Sequence, residues 1–269
     1  MLTCRPIPLF VELCAGTAAV SLRLAQPKAR PPVSRMGAKT GYADAILYHL
    51  HLQPGQGAES YLWCDPDPGV RLMLEAYRDP ALAREAADVI RSWADEDPRA
   101  LWDRLRAEGA PSGVTGREVG RWTWLHGRSF NNRGPDAGFL PSESANGVEV
   151  WNAHPPAYFA RVWSMVPALP ATLHPAAIPP QANARGAVVY IDPPYVNTTG
   201  YAHDLPRAEV ERLALAWAEA GATVAISEAE PIALPGWEHV QIDGLRRGQK
   251  RTFSKQQAEW LTIWRGAGC

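Results

Sequence analysis

The 269-residue chain is poor in cysteine and lysine, and it lacks any long apolar run. Its four cysteines, Cys4, Cys14, Cys64 and Cys269, form no Cys-x-x-Cys pair, and its seven histidines show no metal-ligand spacing. A disulfide scaffold and a structural metal site are therefore not expected. Only His49 and His51 stand close together, and the end of an amphipathic helix accounts for them. Four of the 27 basic residues are lysines (Lys28, Lys39, Lys250, Lys255), a skew that reads as coding bias. No apolar stretch approaches the roughly 20 residues of a membrane span, and MLTCRPIPLF lacks a signal-peptide layout. The expectation is a soluble, cytoplasmic protein with no membrane partner. A surplus of positive charge is also missing, since 27 basic against 28 acidic residues leave a net charge of −1. Nucleic-acid contact, if any, must come from local patches. What the chain does have is a 46% hydrophobic fraction, enough for a core.

The pattern alternates short strands with helices. Ile7–Leu13 is an apolar run containing Glu12, followed by the small residues Cys14-Ala15-Gly16-Thr17 and a helix to Ala25. Strand, tight turn and helix open a Rossmann-type unit. A helix is expected from Tyr42 to Leu52, a strand at Tyr61–Cys64 ending at Asp65, and a helix led by Pro68. The region 79–150 differs. Asp79-Pro80 and Asp97-Pro98 read as N-caps with first-turn prolines, Gly116–His126 is helical, and a Gly-, Asn- and Pro-rich loop covers 127–147. This stretch reads as a helical insertion, with 1–78 and 151–269 forming the sheet domain. The sheet pattern resumes with an amphipathic Ala157–Val166, the continuous apolar strand Ala187–Ile191, a helix over Pro206–Ala220 stopped by Gly221, and a strand at Thr223–Ser227. Trp237–Ile242 and Trp260–Trp264 close the chain as strands, arranged as a hairpin around a basic loop.

Asp192-Pro193-Pro194-Tyr195 follows the apolar strand directly. Ligands in open α/β sheets bind beyond the carboxyl ends of strands. Two prolines stiffen the backbone, the acid and nearby carbonyls accept hydrogen bonds, and Tyr195 offers a stacking surface. That set suits a planar base with an exocyclic amine: the acceptors localise the nitrogen lone pair and aim it at an electrophile. A proline-stiffened strand end with an exposed acid is the plain alternative. The segment Phe10–Ala18 lets backbone approach a ligand, although a tight turn needs small residues anyway. Asp65 stands where an acid takes ribose hydroxyls, or caps a helix.

Together these stretches resemble the Dam-like family of DNA adenine (N-6) methyltransferases, which use S-adenosylmethionine (SAM). FVELCAG resembles the family's first SAM motif, CDPDP the second, YIDPPY the catalytic motif, WTWLHGRSFNNRGPDAGFLP the stretch before its DNA-contacting loop, and Glu259–Ile263 its closing strand. The Lys-containing motif departs in order, because Arg35-Met36-Gly37-Ala38-Lys39 follows the first strand instead of preceding it. Cys14 and Ala18 replace an aromatic and a glycine. The resemblance implies an α/β, Rossmann-like seven-stranded SAM-dependent methyltransferase fold with a helical insertion for target recognition. It implies Asp192, Pro193, Pro194 and Tyr195 as catalytic residues, with no metal. Phe10, Glu12, Cys14, Ala15, Gly16, Lys39 and Asp65 would bind SAM. The partner would be double-stranded DNA whose target base is flipped out. Transfer to cytosine N-4, RNA or protein is the alternative within this chemistry, and a silent DNA-binding module is the alternative outside it. No cysteine sits in a Pro-Cys loop, which disfavours cytosine C-5 chemistry.

DNA contact would rest on local charge. Gly244–Lys255 carries Arg246, Arg247, Lys250, Arg251 and Lys255 with no acid, and Arg117–Arg133 has four Arg against one Glu. Arg128, Asn131, Asn132 and Arg133 are the candidates in the second segment. Glu75–Glu108, with nine acids and six Arg, would face away. Trp122, Trp124, Trp163 and Trp217 read as core, and Trp151 as a loop residue near DNA.

Overall fold

The computed structural model describes residues 5–34, 37–150, 153–195, 203–242 and 259–266. The helices are α1 (Ala19–Ala25), α2 (Ala43–His49), α3 (Pro68–Arg78), α4 (Pro80–Ser92), α5 (Pro98–Ala107), α6 (Gly116–Gly127), α7 (Pro156–Trp163) and α8 (Arg207–Glu219). The strands are β1 (Ile7–Leu13), β2 (Ala58–Cys64), β3 (Ala171–His174), β4 (Val188–Ile191), β5 (Thr223–Glu228), β6 (Glu238–Ile242) and β7 (Glu259–Trp264). Two compact units result: one of Met1–Lys28, Lys39–Asp67 and Pro170–Cys269, the other of Ala29–Ala38 and Pro68–Leu169. The helical unit is wider than 79–150 because α3 packs on α4 and α6, and α7 packs on α4. Among the described residues no helix is long and apolar enough to cross a membrane.

The first unit is an α/β structure around a seven-stranded sheet of order β3-β2-β1-β4-β5-β7-β6. β1 to β5 pair in parallel, and β7 runs antiparallel to both its neighbours, β5 and β6. This mostly parallel arrangement is compatible with a Rossmann-like fold. The period-2 alternation of strands assigns the faces. Val11, Leu13, Val189, Ile191, Val224 and Ile226 bury against Val210, Leu213, Ala214 and Trp217 of α8. The opposite face carries Glu12, Tyr190 and Ser227, all buried, with the Tyr190 and Ser227 hydroxyls 2.6 Å apart. The strand order reverses between β1 and β4: the chain leaves β1 toward β2 and β3, and leaves β4 toward β5 on the other side. Such a switch point opens a crevice at the carboxyl edge, where a ligand can enter.

The second unit is helical, and its local signals act as the sequence suggests. Asp79 accepts from the N–H groups of Ala81 and Leu82, and Asp97 from those of Arg99 and Ala100, each before a first-turn proline. Trp124 and Trp163 are fully buried, and Trp163 Nε1 donates to Thr123 Oγ1 at 3.0 Å. Gly127 ends α6 where a side chain could not fit, since a Cβ there would lie 2.3 Å from the Phe159 ring. Arg121, 1% exposed, donates to Glu118 through Nε (3.0 Å) and Nη2 (2.6 Å), and to the carbonyls of Leu105 (3.0 Å) and Gly109 (2.9 Å) through Nη1.

Candidate active site

Four carboxylates of the first unit meet at the carboxyl edge of the sheet. Glu12 lies near the end of β1, Asp65 follows β2, and Asp192 follows β4. Glu259 opens β7, which runs in reverse, so the start of that strand lies at the same edge.

The turn after β1 is held by backbone bonds across to β2. Ala15 N donates to Cys64 O at 2.9 Å, and Gly16 N donates to Asp65 Oδ2 at 2.8 Å. Asp65 Oδ1 also accepts from Asp67 N at 3.0 Å, closing its own turn. Cys14, Gly16 and Ala18 have φ of 61°, 52° and 47°. Glycine reaches this left-handed region without cost, whereas Cys14 and Ala18 each carry about 1–2 kcal/mol of strain. Strained non-glycine backbone concentrates at ligand sites. Burial and the charges of Asp65 and Asp192 push the Cys14 thiol well above the ordinary cysteine range, so it is not a thiolate nucleophile.

Glu12 is 3% exposed, and its Oε1 accepts from Ser21 N at 2.6 Å. Burial pushes its carboxyl up to about 7, the Ser21 hydrogen bonds pull it down in part, and the Asp192 charge raises it further. A proton therefore stays on the folded protein where the unfolded chain, near 4.5, has released it. Stability contributed by this group falls as pH rises from about 4.5 to about 7 and is level above, in total about 3 kcal/mol. Urea unfolding of wild type and Glu12→Gln across pH 4.5–8 is expected to show this loss in the difference curve, with the glutamine variant the more stable at pH 8. A flat difference would mean that Glu12 titrates alike in the folded and unfolded states.

The tetrapeptide after β4 is placed by Asp192 N donating to Leu13 O at 3.2 Å. The Asp192 side chain keeps 19% exposure, and its Oδ1 lies 2.5 Å from Lys39 Nζ. Pro193 is buried and Pro194 half-buried. Tyr195, 8% exposed, donates its hydroxyl to Glu259 Oε1. Burial and the Asp192 and Glu259 charges hold its phenol far above the usual tyrosine range, so it remains a donor. Lys39 Nζ lies 4.9 Å from the Tyr195 ring centroid and 3.7 Å from Glu259 Oε1, with the side chain 4% exposed. No known family's sequence profile matches the chain, and no curated protein matches it significantly. The site therefore rests on its own geometry. Among the described residues no group of three or more His, Cys, Asp or Glu is placed to hold a metal ion.

Several expected residues sit differently from the sequence reading. Phe10, expected against a cofactor, is fully buried in mid-strand, edge-on to Tyr61 at 6.4 Å. Lys39, expected on the cofactor side, is engaged with Asp192 and Glu259 in this structure. Glu259 is a site residue that the sequence analysis read only as part of a closing strand. Its signal is an acid heading a strand, and only the antiparallel pairing of β7 gives that signal meaning.

In the helical unit Arg128 is 1% exposed, against the expectation of a DNA contact. Its Nη1 donates to Ala153 O (2.8 Å) and His154 O (3.3 Å), its Nη2 to Ser142 Oγ (3.1 Å), and the rings of Trp124 and Phe139 flank it. Its role here is to tie the loop down. That loop is far from structureless: Phe130 N bonds Gly138 O at 2.8 Å, Leu140 N bonds Arg128 O at 2.7 Å, and Gly134 N bonds Ser129 Oγ at 2.8 Å. Asn131 and Asn132 lie in a short 3₁₀ turn ahead of an exposed Arg133. Arg246, Arg247, Lys250, Arg251 and Trp151 lie outside the described residues.

Proposed function

We propose that the chain is a SAM-dependent methyltransferase that transfers a methyl group to the exocyclic amine (N-6) of adenine in DNA. The observation that carries this reading is the convergence of Glu12, Asp65, Asp192 and Glu259 at the carboxyl edge of the sheet, with Asp-Pro-Pro-Tyr following β4 beside the switch point. An edge so rich in carboxylates calls for a ligand that brings positive charge and hydroxyl donors. SAM fits, since it carries an ammonium, a sulfonium and two ribose hydroxyls.

The bound cofactor would supply a methyl group on a positively charged sulfur. Asp65, held by Gly16 N and Asp67 N, would accept from the ribose hydroxyls. Glu12 would face the cationic part, and a cation beside it favours its ionised form. Asp192 and the carbonyls of the Pro193–Pro194 segment would accept the two N–H bonds of the target amine, leaving its lone pair pointed at the methyl carbon. This is catalysis by orientation and fixed dipoles, with no covalent enzyme intermediate. The phenol of Tyr195, tethered to Glu259, offers its ring to a base that has left the duplex.

The deciding experiment incubates the protein with methyl-labelled SAM and, separately, duplex DNA, RNA and protein, followed by digestion to nucleosides or amino acids. Label in N-6-methyl-2′-deoxyadenosine from DNA is the expected outcome. Label in N-4-methylcytosine, RNA or glutamine reassigns the acceptor. No SAM binding by calorimetry, together with salt-sensitive DNA binding, would leave a silent DNA-binding module.

A further inference from the structure

We infer that Glu259 is a positioning residue of the site, which holds Tyr195 directly and Asp192 through Lys39. The assignment rests on the methyl-transfer reading, and it gives Glu259 a specific role within that site.

Glu259 is 1% exposed. A carboxylate taken out of water is strongly disfavoured unless partners compensate it, so its partners show what it is held for. One is the Tyr195 hydroxyl, which donates to Oε1. Another is Lys39 Nζ, 3.7 Å from the same oxygen. Lys39 in turn meets Asp192 Oδ1 at 2.5 Å and lies under the Tyr195 ring. The two functional side chains of the tetrapeptide thus share one cation and one carboxylate. The prolines fix the backbone before Tyr195 but not the direction its side chain takes, and the bond from its hydroxyl to Glu259 fixes that direction. The charge count matters as well. Asp192, Glu259 and Lys39 together carry −1, so Lys39 is divided between two acids and Asp192 keeps its strength as an acceptor. Without the Glu259 charge, Lys39 is drawn more strongly to Asp192 and pulls that carboxylate away from the amine.

Glu259→Gln preserves shape and removes the charge. Its kcat is expected to fall about 10- to 100-fold, with the KM for SAM changed less than about twofold. Glu259→Asp, which keeps the charge on a shorter stem, is expected to recover part of the loss. A second readout needs no turnover. The chain has four lysines, so amine acylation followed by mass spectrometry reports Lys39 against Lys28 as reference. Lys39 is expected to be protected in wild type and to be released to the reagent about tenfold faster in Glu259→Ala, where the lost carboxyl opens space beside Nζ. Wild-type kcat together with wild-type labelling would overturn the assignment. So would equal losses of melting temperature and SAM affinity in Glu259→Gln, which would mark a structural acid. A wild-type protein that transfers no methyl group, while Lys39 is still released in Glu259→Ala, would sink the methyltransferase reading and uphold the hold of Glu259 on this cluster.

Discussion

Asp192→Asn is expected to slow methyl transfer by about 10²- to 10³-fold while SAM affinity stays within about threefold. Asparagine matches aspartate in shape and leaves the prolines and the Asp192 N to Leu13 O bond in place, so the effect isolates the carboxylate. A carboxylate offers about four lone pairs, which lets Oδ1 hold Lys39 while the group also accepts from an amine. Asparagine has one oxygen. The Lys39 ammonium, 2.5 Å away in the parent, would claim it and turn the amide NH₂ toward the substrate amine, donor against donor. Lost acceptance and added repulsion act on the reacting nitrogen and leave the ribose and ammonium contacts alone. Single-turnover transfer from labelled SAM measures the rate, and calorimetry measures the binding. A variant within a few-fold of wild type would remove Asp192 from the mechanism.

Arg121→Met should lower stability by about 3–5 kcal/mol, a melting-temperature drop on the order of 10 °C. The guanidinium is buried and satisfies Glu118 and two carbonyls of the α5 end, with Glu108 Oε2 3.6 Å away. Methionine fills a similar volume, so no large cavity is made. The loss arises because Glu118, 5% exposed, remains a buried charge whose other close cation is Arg117 at 3.6 Å. Adding Glu118→Gln should recover part of the stability, since an uncharged amide tolerates that setting better. Urea unfolding of the single and double variants gives the coupling. If the two losses simply add, the pair is not the unit described.

Much of the sheet was legible in the chain because its strands are short apolar runs bounded by turn residues. Val188–Ile191 is buried on both faces and reads as a parallel strand, and Gly221, with φ of 96°, stops α8 where the pattern said it would. The first-turn prolines after Asp79 and Asp97 were equally plain, since the capping bond and the fixed φ are both local. The boundaries of the helical unit were not legible, because α3 and α7 join it through packing that no local signal announces. Within the site, Glu12, Asp65 and Asp192 could be read as acids at strand ends. Arg128 could not be read correctly, since an arginine among polar loop residues looks exposed until the carbonyls of Ala153 and His154 are seen to fold around it. The pairing of Lys39 with Asp192 and Glu259 was hidden for a related reason: the partners are far apart in sequence, Asp192 standing 153 positions after Lys39.

The reversal of β7 has a consequence for how the protein is made. Glu259 reaches the carboxyl edge only when its strand pairs with β5, far from it in sequence, as well as with β6. A nascent chain on the ribosome can thread β1, β2, β4 and β5 in turn, yet Lys39 and Tyr195 lack their shared anchor until this last insertion. Late pairing between distant segments is slow and leaves edges exposed meanwhile. Competence for chemistry would then lag behind compaction during refolding.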